Sequence, residues 1–186
     1  MKFLIISGNP KKDGLCKSVE DAVIKGIEAG GGSPEVLGME GITRCRCCRE
    51  GWGNCLERHT CGYGDDGFTE AQNRVNEADA LCLITPVYWG EMAEGIKSFL
   101  DRLRRCEFRR EGGALTGKPV LLIASPGGTG NGMLTCLEQM DRFCRHTGMI
   151  IFDYIGINRW NNDYKREAAY KAAKAMTEGR KAGDTL

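Results

Sequence analysis

Short apolar runs alternate with longer segments of helical period along this chain, and that alternation leaves few folds open. Lys2 to Ser7 reads as a first strand. Ser18 to Ala29 reads as a helix with Val19, Ala22, Val23, Ile24 and Ile27 on one face, ended by Gly30-Gly31-Gly32. Glu35 to Leu37 is a weak second strand, and Ala80 to Thr85 a third, followed by a helix facing inward through Met92, Ile96, Phe99, Leu100 and Leu103. Val120 to Ser125 is a fourth strand, with Met133, Leu134, Leu137, Met140 and Phe143 on the next helix; Met149 to Ile157 is a fifth, and an Ala-rich helix starts near Tyr164. All five prolines (Pro10, Pro34, Pro86, Pro119, Pro126) fall where these strands begin or end. Five βα repeats predict a doubly wound, five-stranded parallel sheet in the order 2-1-3-4-5, forming one domain over residues 1–186.

One stretch breaks the pattern. Met39 to Asp66 gives 28 residues with no clear helix or strand, inserted after strand two. A structureless loop beyond about 12 to 15 residues is uncommon and usually functional or disordered. Five of the ten cysteines, Cys45, Cys47, Cys48, Cys55 and Cys61, fall within 17 residues inside it, which favours function.

The formal net charge of +1 is spread among interspersed acids and bases, so no nucleic-acid surface is implied. No apolar run approaches the roughly 18 residues of a membrane span, and the amino-terminal run is too short for a secretory signal. A cytoplasmic location is expected, where clustered cysteines serve metal or redox chemistry more often than disulfides.

Three loops carry candidate ligand-binding residues. The first, after strand one, holds Ser7, Asn9, Leu15, Cys16, Lys17 and Ser18 with Gly8 and Gly14, a helix-start geometry suited to an anion. It is equally consistent with an ordinary polar connection. The second, Thr85-Pro86-Val87-Tyr88-Trp89-Gly90, offers two aromatics as a flat wall and a glycine whose N–H could face a ring edge; core or subunit-interface packing of Tyr88 and Trp89 is the alternative. The third, Ser125-Pro126-Gly127-Gly128-Thr129-Gly130-Asn131-Gly132, is rich in N–H donors but does not have the spacing of a dinucleotide fingerprint. In the expected strand order all three converge on one carboxyl edge, where open α/β sheets bind ligands.

These residues resemble the flavodoxin-like NAD(P)H-dependent FMN reductase family, in particular its iron–sulfur flavoprotein branch. The opening motif is matched by Ser7-Gly8-Asn9-Pro10-Lys11-Lys12-Asp13-Gly14-Leu15-Cys16, the second by Thr85-Pro86-Val87-Tyr88-Trp89-Gly90 with Lys97-Ser98-Phe99-Leu100-Asp101-Arg102 downstream. The resemblance implies that Ser7, Asn9, Leu15 and Cys16 surround an FMN phosphate. It further implies that Pro86, Val87, Tyr88 and Trp89 line the isoalloxazine, with Gly127 and Gly128 opposite. Leu15 and Cys16 stand where the family often has Asn and Thr, which shifts phosphate binding towards backbone N–H groups. By the same resemblance the chain takes hydride from NAD(P)H through FMN, passes electrons to an acceptor, and self-associates.

Flavin chemistry needs no general base, which suits a chain with only His59 and His146. Cys45, Cys48, Cys55 and Cys61 give C-x2-C-x6-C-x5-C, the four thiolates a [4Fe–4S] cluster requires, with Cys47 surplus. Iron–sulfur flavoproteins resemble this with a more compact spacing. Zinc also accepts four thiolates, and a metal-free thiol pair exchanging electrons with flavin remains open. Arg44, Arg46, Arg49 and Arg58 nearby would offset a negatively charged centre or lower thiol pKa values, or simply form a solvated face. Cys16, Cys82, Cys106, Cys136 and Cys144 read as small core hydrophobes. Two other functional readings stay open: an FMN electron carrier reduced by a protein such as ferredoxin, and a zinc-stabilised, non-catalytic interaction module.

Overall fold

Alternation within single strands divides the core between two faces. In β1 (Lys2–Ser7), Leu4 and Ile6 join one buried cluster while Phe3 and Ile5 join the other. The same split recurs in β3 (Ala80–Tyr88) and, further on, in β5 (Pro119–Pro126), so the central strands are apolar on both sides, as a covered parallel sheet requires. Each fully buried Leu or Ile is worth about 1.5–3 kcal/mol relative to exposure. A computed structural model of the chain describes residues 1–48, 50–63 and 66–180.

The remaining elements are α1 (Gly14–Ala29), β2 (Ser33–Leu37), α2 (Asn54–Glu57), α3 (Phe68–Glu77), β4 (Glu91–Met92), α4 (Glu94–Glu107), α5 (Met133–Thr147), β6 (Ile150–Gly156) and α6 (Asn162–Thr177). Parallel strands run β2-β1-β3-β5-β6, which is the expected 2-1-3-4-5 order, with β4 antiparallel to the end of β3. Helices α1 and α6 pack on one cluster, α3, α4 and α5 on the other.

Four departures from the sequence expectation bear on function. Helix α1 starts at Gly14 rather than Ser18, so Leu15, Cys16, Lys17 and Ser18 belong to its first turns. Helix α3 is an additional element, with Phe68, Ala71 and Val75 as its apolar stripe. Among its described residues the segment 39–66 contains one short helical turn, α2. Finally, β3 passes through Pro86 instead of ending at Thr85. Ile84 C=O accepts from Gly8 N–H (2.8 Å) on the β1 side, so residue 86, of the same parity, also points there. Pairing with β1 stops at Ser7 and Ile84, and no ladder bond is lost at Pro86.

Candidate functional site

The carboxyl ends of β1, β3 and β5 are adjacent, in register Ser7 with Ile84 and Pro86 with Ser125. The first loop crosses this edge closely: a Cβ on Gly8 would sit 2.7 Å from Ile96 Cγ2 and 3.1 Å from Thr85 Oγ1. Asn9 fixes the turn itself, donating from Nδ2 to Lys11 C=O (2.7 Å) and accepting Lys11 N–H at Oδ1 (3.2 Å). Ser7 Oγ accepts Asn9 N–H at 3.4 Å. The first turn of α1 has no side-chain cap and no acidic residue, leaving its positive end to the loop. Lys17 is committed to Glu20 (2.7 Å) and Asp21 (2.8 Å), and the Ser18 hydroxyl donates to Leu15 C=O (2.8 Å). Anion-binding donors in this turn are therefore backbone N–H groups. The Cys16 side chain is buried in the core; burial, then Glu20, pushes its thiol up to about 12, so it stays protonated.

The second loop is a tight hairpin. Trp89 (φ 53°) and Gly90 (φ 82°) both have left-handed backbone between the paired Tyr88 and Glu91, the signature of a type I′ turn. Trp89 stands 103% exposed at the tip, so within one chain it is not a wall of the cleft, whereas Tyr88 is. Thr85 Oγ1 accepts Ala93 N–H (3.0 Å), which sets α4 directly after the hairpin. A cleft of about 240 Å³ results, lined by Gly8, Asn9, Pro10, Tyr88 and the first turn of α4, and closed by Met39 and Glu40 from the start of the cysteine segment.

The third loop meets this hairpin at its last residue, Gly132, and α5 at Thr135; none of the loop lines the cleft. Thr135 Oγ1 donates to Gly90 C=O (2.7 Å), and a Cβ on Gly132 would clash with the Gly90 backbone. Gly127 and Gly128 face open space, where a Cβ would meet nothing within 4 Å. Ser125 is 4% exposed, and its hydroxyl has no partner. A buried, unpaired hydroxyl at a ligand-binding edge is a donor waiting for a ligand acceptor. With the open glycines and the uncapped helix start, it makes this edge fit a phosphorylated flavin.

Cys45, Cys48, Cys55 and Cys61, the four picked out by spacing, line one small cavity together with Arg46, Arg102 and Arg105; Cys47, exposed and with φ 48°, is outside it. Arg102 holds this segment closed. The residue is 2% exposed on α4, and its guanidinium donates to Thr43 C=O (2.9 Å), Cys61 Sγ (3.3 Å), Tyr63 C=O (3.3 Å) and both oxygens of Asp66. It also lies 4.1 Å over the Phe68 ring. Burial alone would raise the Asp66 carboxyl, but Arg102 and the Thr43 N–H and hydroxyl outweigh it and hold the carboxyl far below the usual carboxylate range. Arg105 donates to Gly51 C=O, and His59 Nδ1 pairs with Cys106 C=O (3.0 Å). Arg49 lies outside the described residues, while Arg44 and Arg58 are exposed and do not line the cavity.

Among the described residues no three His, Cys, Asp or Glu side chains come close enough to ligate one metal ion. A lone zinc, at Zn–S of about 2.3 Å, needs its sulfurs within roughly 4 Å of each other. A cubane keeps its four cysteines further apart, with its own iron and sulfide between them. In donor type and number the cavity suits a four-thiolate centre. Arg102 had a sequence signal, since it falls in the stripe Phe99, Arg102, Cys106 and a cation on a buried face demands a partner; Arg105 lies off that stripe and had none.

Sheet order, carboxyl-edge loops and uncapped helix start define a flavodoxin-like flavoprotein. The structure of an archaeal flavodoxin is similar with a TM-score of 0.64 at 15% identity, over 96% of this chain and 98% of that one. Residues 1–161 match the NADPH-dependent FMN reductase family, and the chain belongs to it; by class it is an FMN-dependent oxidoreductase. An iron–sulfur flavoprotein of Archaeoglobus fulgidus is 33% identical over 105 residues, 55% of this chain and 46% of that protein, so this match spans under half of its length. One from Methanosarcina thermophila is 25% identical over 166 residues, 87% of this chain and 83% of that protein.

Proposed function

We propose that this chain takes hydride from NAD(P)H on FMN bound at the carboxyl edge and exchanges electrons with a [4Fe–4S] cluster held by Cys45, Cys48, Cys55 and Cys61. FMN supplies the switch between two-electron and one-electron chemistry, and the protein supplies position and electrostatics. Ser7, Asn9 and the free N–H groups at the start of α1, those of Leu15 and Cys16, would bind the phosphate, while the N–H groups of Lys17 and Ser18 belong to the helix's own ladder. Pro86, Val87, Tyr88 and Gly90, with Ser125, Gly127 and Gly128, would hold the ring. Trp89 would reach it from a second copy of the chain, which its full exposure supports.

The observation that carries the reading is the run of α4. Its first turn lines the cleft, and Arg102 and Arg105, two to three turns on, line the cysteine cavity. At 1.5 Å per residue, Gly95 and Arg102 are about 10 Å apart along the axis, so one rigid element spaces the two centres. A zinc module is the less supported alternative, because the cysteines do not converge on a single-ion geometry.

The test is anaerobic purification, a visible spectrum, and iron, acid-labile sulfide and zinc analysis of one sample, followed by rapid mixing with NADH and NADPH. Yellow-brown protein with about four irons, bleached by a nicotinamide, is expected. Flavin that neither nucleotide bleaches would leave the carrier fed by a reduced protein such as ferredoxin. Colourless, zinc-containing protein would leave the interaction module. Sedimentation as a 20.5 kDa species alone would remove the second copy.

A further inference from the structure

Among the residues that close the cysteine cavity, Arg102 is the one whose position exceeds what packing requires. Burying a guanidinium is costly, and an apolar side chain of similar volume would fill the same space between Phe68 and α4 at less cost. The cation instead touches one of the four cysteines directly, through Cys61 Sγ at 3.3 Å, and its Nε is buried without a partner. Asp66 takes two of its bonds, one of them from the same Nη2 that reaches the sulfur. Cys55 and Cys61 pack on the apolar core, so solvent screens these charges poorly.

We infer that Arg102 and Asp66 form a charge pair that sets the reduction potential of the centre held by the four cysteines, Arg102 raising it and Asp66 limiting the rise. This rests on the cluster reading above. The step concerned is the entry of one electron into the oxidised cluster, supplied by reduced flavin or, in a titration, by dithionite; no bond forms or breaks and no proton moves. A four-thiolate cluster is anionic and becomes more so by one charge on reduction. A buried cation at its sulfur therefore favours the reduced state, and a nearby carboxylate opposes it. Hydrogen bonding to the thiolate acts in the same direction as the cation. Arg102 is on this account a positioning and tuning residue, with no contact to substrate.

Charge tuning separates from mere loop-holding through opposite signs. Potentials are read by a dithionite titration followed by electron paramagnetic resonance on holoprotein, after iron and sulfide analysis of each sample. Arg102→Gln is expected to lower the midpoint by the equivalent of about tenfold in the reduced-to-oxidised ratio, about 59 mV for one electron. Asp66→Asn, which keeps one of the two acceptors for Arg102, is expected to raise it by a smaller factor, about threefold, and Arg102→Lys to fall between wild type and Arg102→Gln. If Arg102→Gln does not retain iron, Asp66→Asn decides alone: an upward shift supports the proposal. Unchanged midpoints, or shifts of the same sign in both variants, overturn it and leave Arg102 a structural staple. Wild-type protein without iron and sulfide overturns the cluster reading, and the tuning role with it; the metal analysis tells that failure apart from an unmoved potential.

Discussion

Ser125 shows how one residue separates binding from folding. Its hydroxyl is buried at the end of β5 with nothing to bond, a burden of about 1–3 kcal/mol for a protein that has no use for it. Ser125→Ala is therefore expected to leave the flavin-free protein as stable as before or up to about 1 kcal/mol more so. FMN affinity should fall about fivefold, the worth of one hydrogen bond. Thermal melts of flavin-free protein and fluorescence titration with FMN check the two halves, and a loss of stability without loss of affinity would show Ser125 to be a folding residue. The sequence placed Ser125 in a glycine-rich loop but gave no sign of its burial. Cys16 runs the other way: its place in the opening motif suggested a ligand role, while its packing and raised thiol pKa make its side chain a core group. What one-dimensional pattern hides at this scale is the direction a side chain faces.

At the scale of elements, the β3–β4 hairpin is where local preference and structure disagree. A type I′ turn favours Asn-Gly, and a bulky aromatic at its first position costs about 1–3 kcal/mol. Trp89 is fully exposed and recovers none of this by packing within the chain. Trp89→Asn should accordingly raise the melting temperature by about 2–4 °C, for about 1 kcal/mol gained, while weakening flavin binding or self-association. Calorimetry and sedimentation of the same variant test both, and a lower melting temperature would mean that Trp89 is packed in solution. Two glycines of the third loop give a matched contrast. Gly132 (φ 78°) touches the hairpin backbone, so Gly132→Ala must move the hairpin as well as strain the backbone, an expected loss of about 2–3 kcal/mol. Gly128 (φ 60°) has free space, and Gly128→Ala should cost about 1 kcal/mol from backbone strain alone. Urea melts of the pair would show equal losses if the hairpin gave way freely. The hairpin itself was hard to read in sequence because Pro86 looks like a strand end, and a proline reads that way until the neighbouring strand is seen to have stopped.

For the whole molecule, the parallel sheet was legible because its signal is redundant: both faces of every central strand are buried, and each crossover repeats one pattern. The cysteine segment was legible in its grouping, since spacing alone selected the four residues that share a cavity. Its attachment was not, because the contacts run from residues 43–66 to α4 across long stretches of chain, and a 3.6-residue period carries no information about them. That attachment gives the protein a pH dependence. The Asp66 carboxyl is held below its unfolded value of about 3.9 by Arg102 and Thr43 against the opposing effect of burial, so the unfolded chain binds a proton before the folded one does. The stability it confers is complete above about pH 5 and is lost as pH falls below 4 towards the folded value. Asp66→Asn should remove that part of the slope, making the variant less stable than wild type at pH 7, with a gap that narrows as pH falls below 4 and closes only towards the far lower folded value. Because Arg102 joins the segment to α4, and α4 to the sheet, the loss should first appear locally: hydrogen exchange in residues 43–63 ought to accelerate at acid pH while β1, β3 and β5 remain protected. Simultaneous loss of protection in the segment and the central strands would show instead that the cysteine segment folds as an inseparable part of the sheet's own cooperative unit.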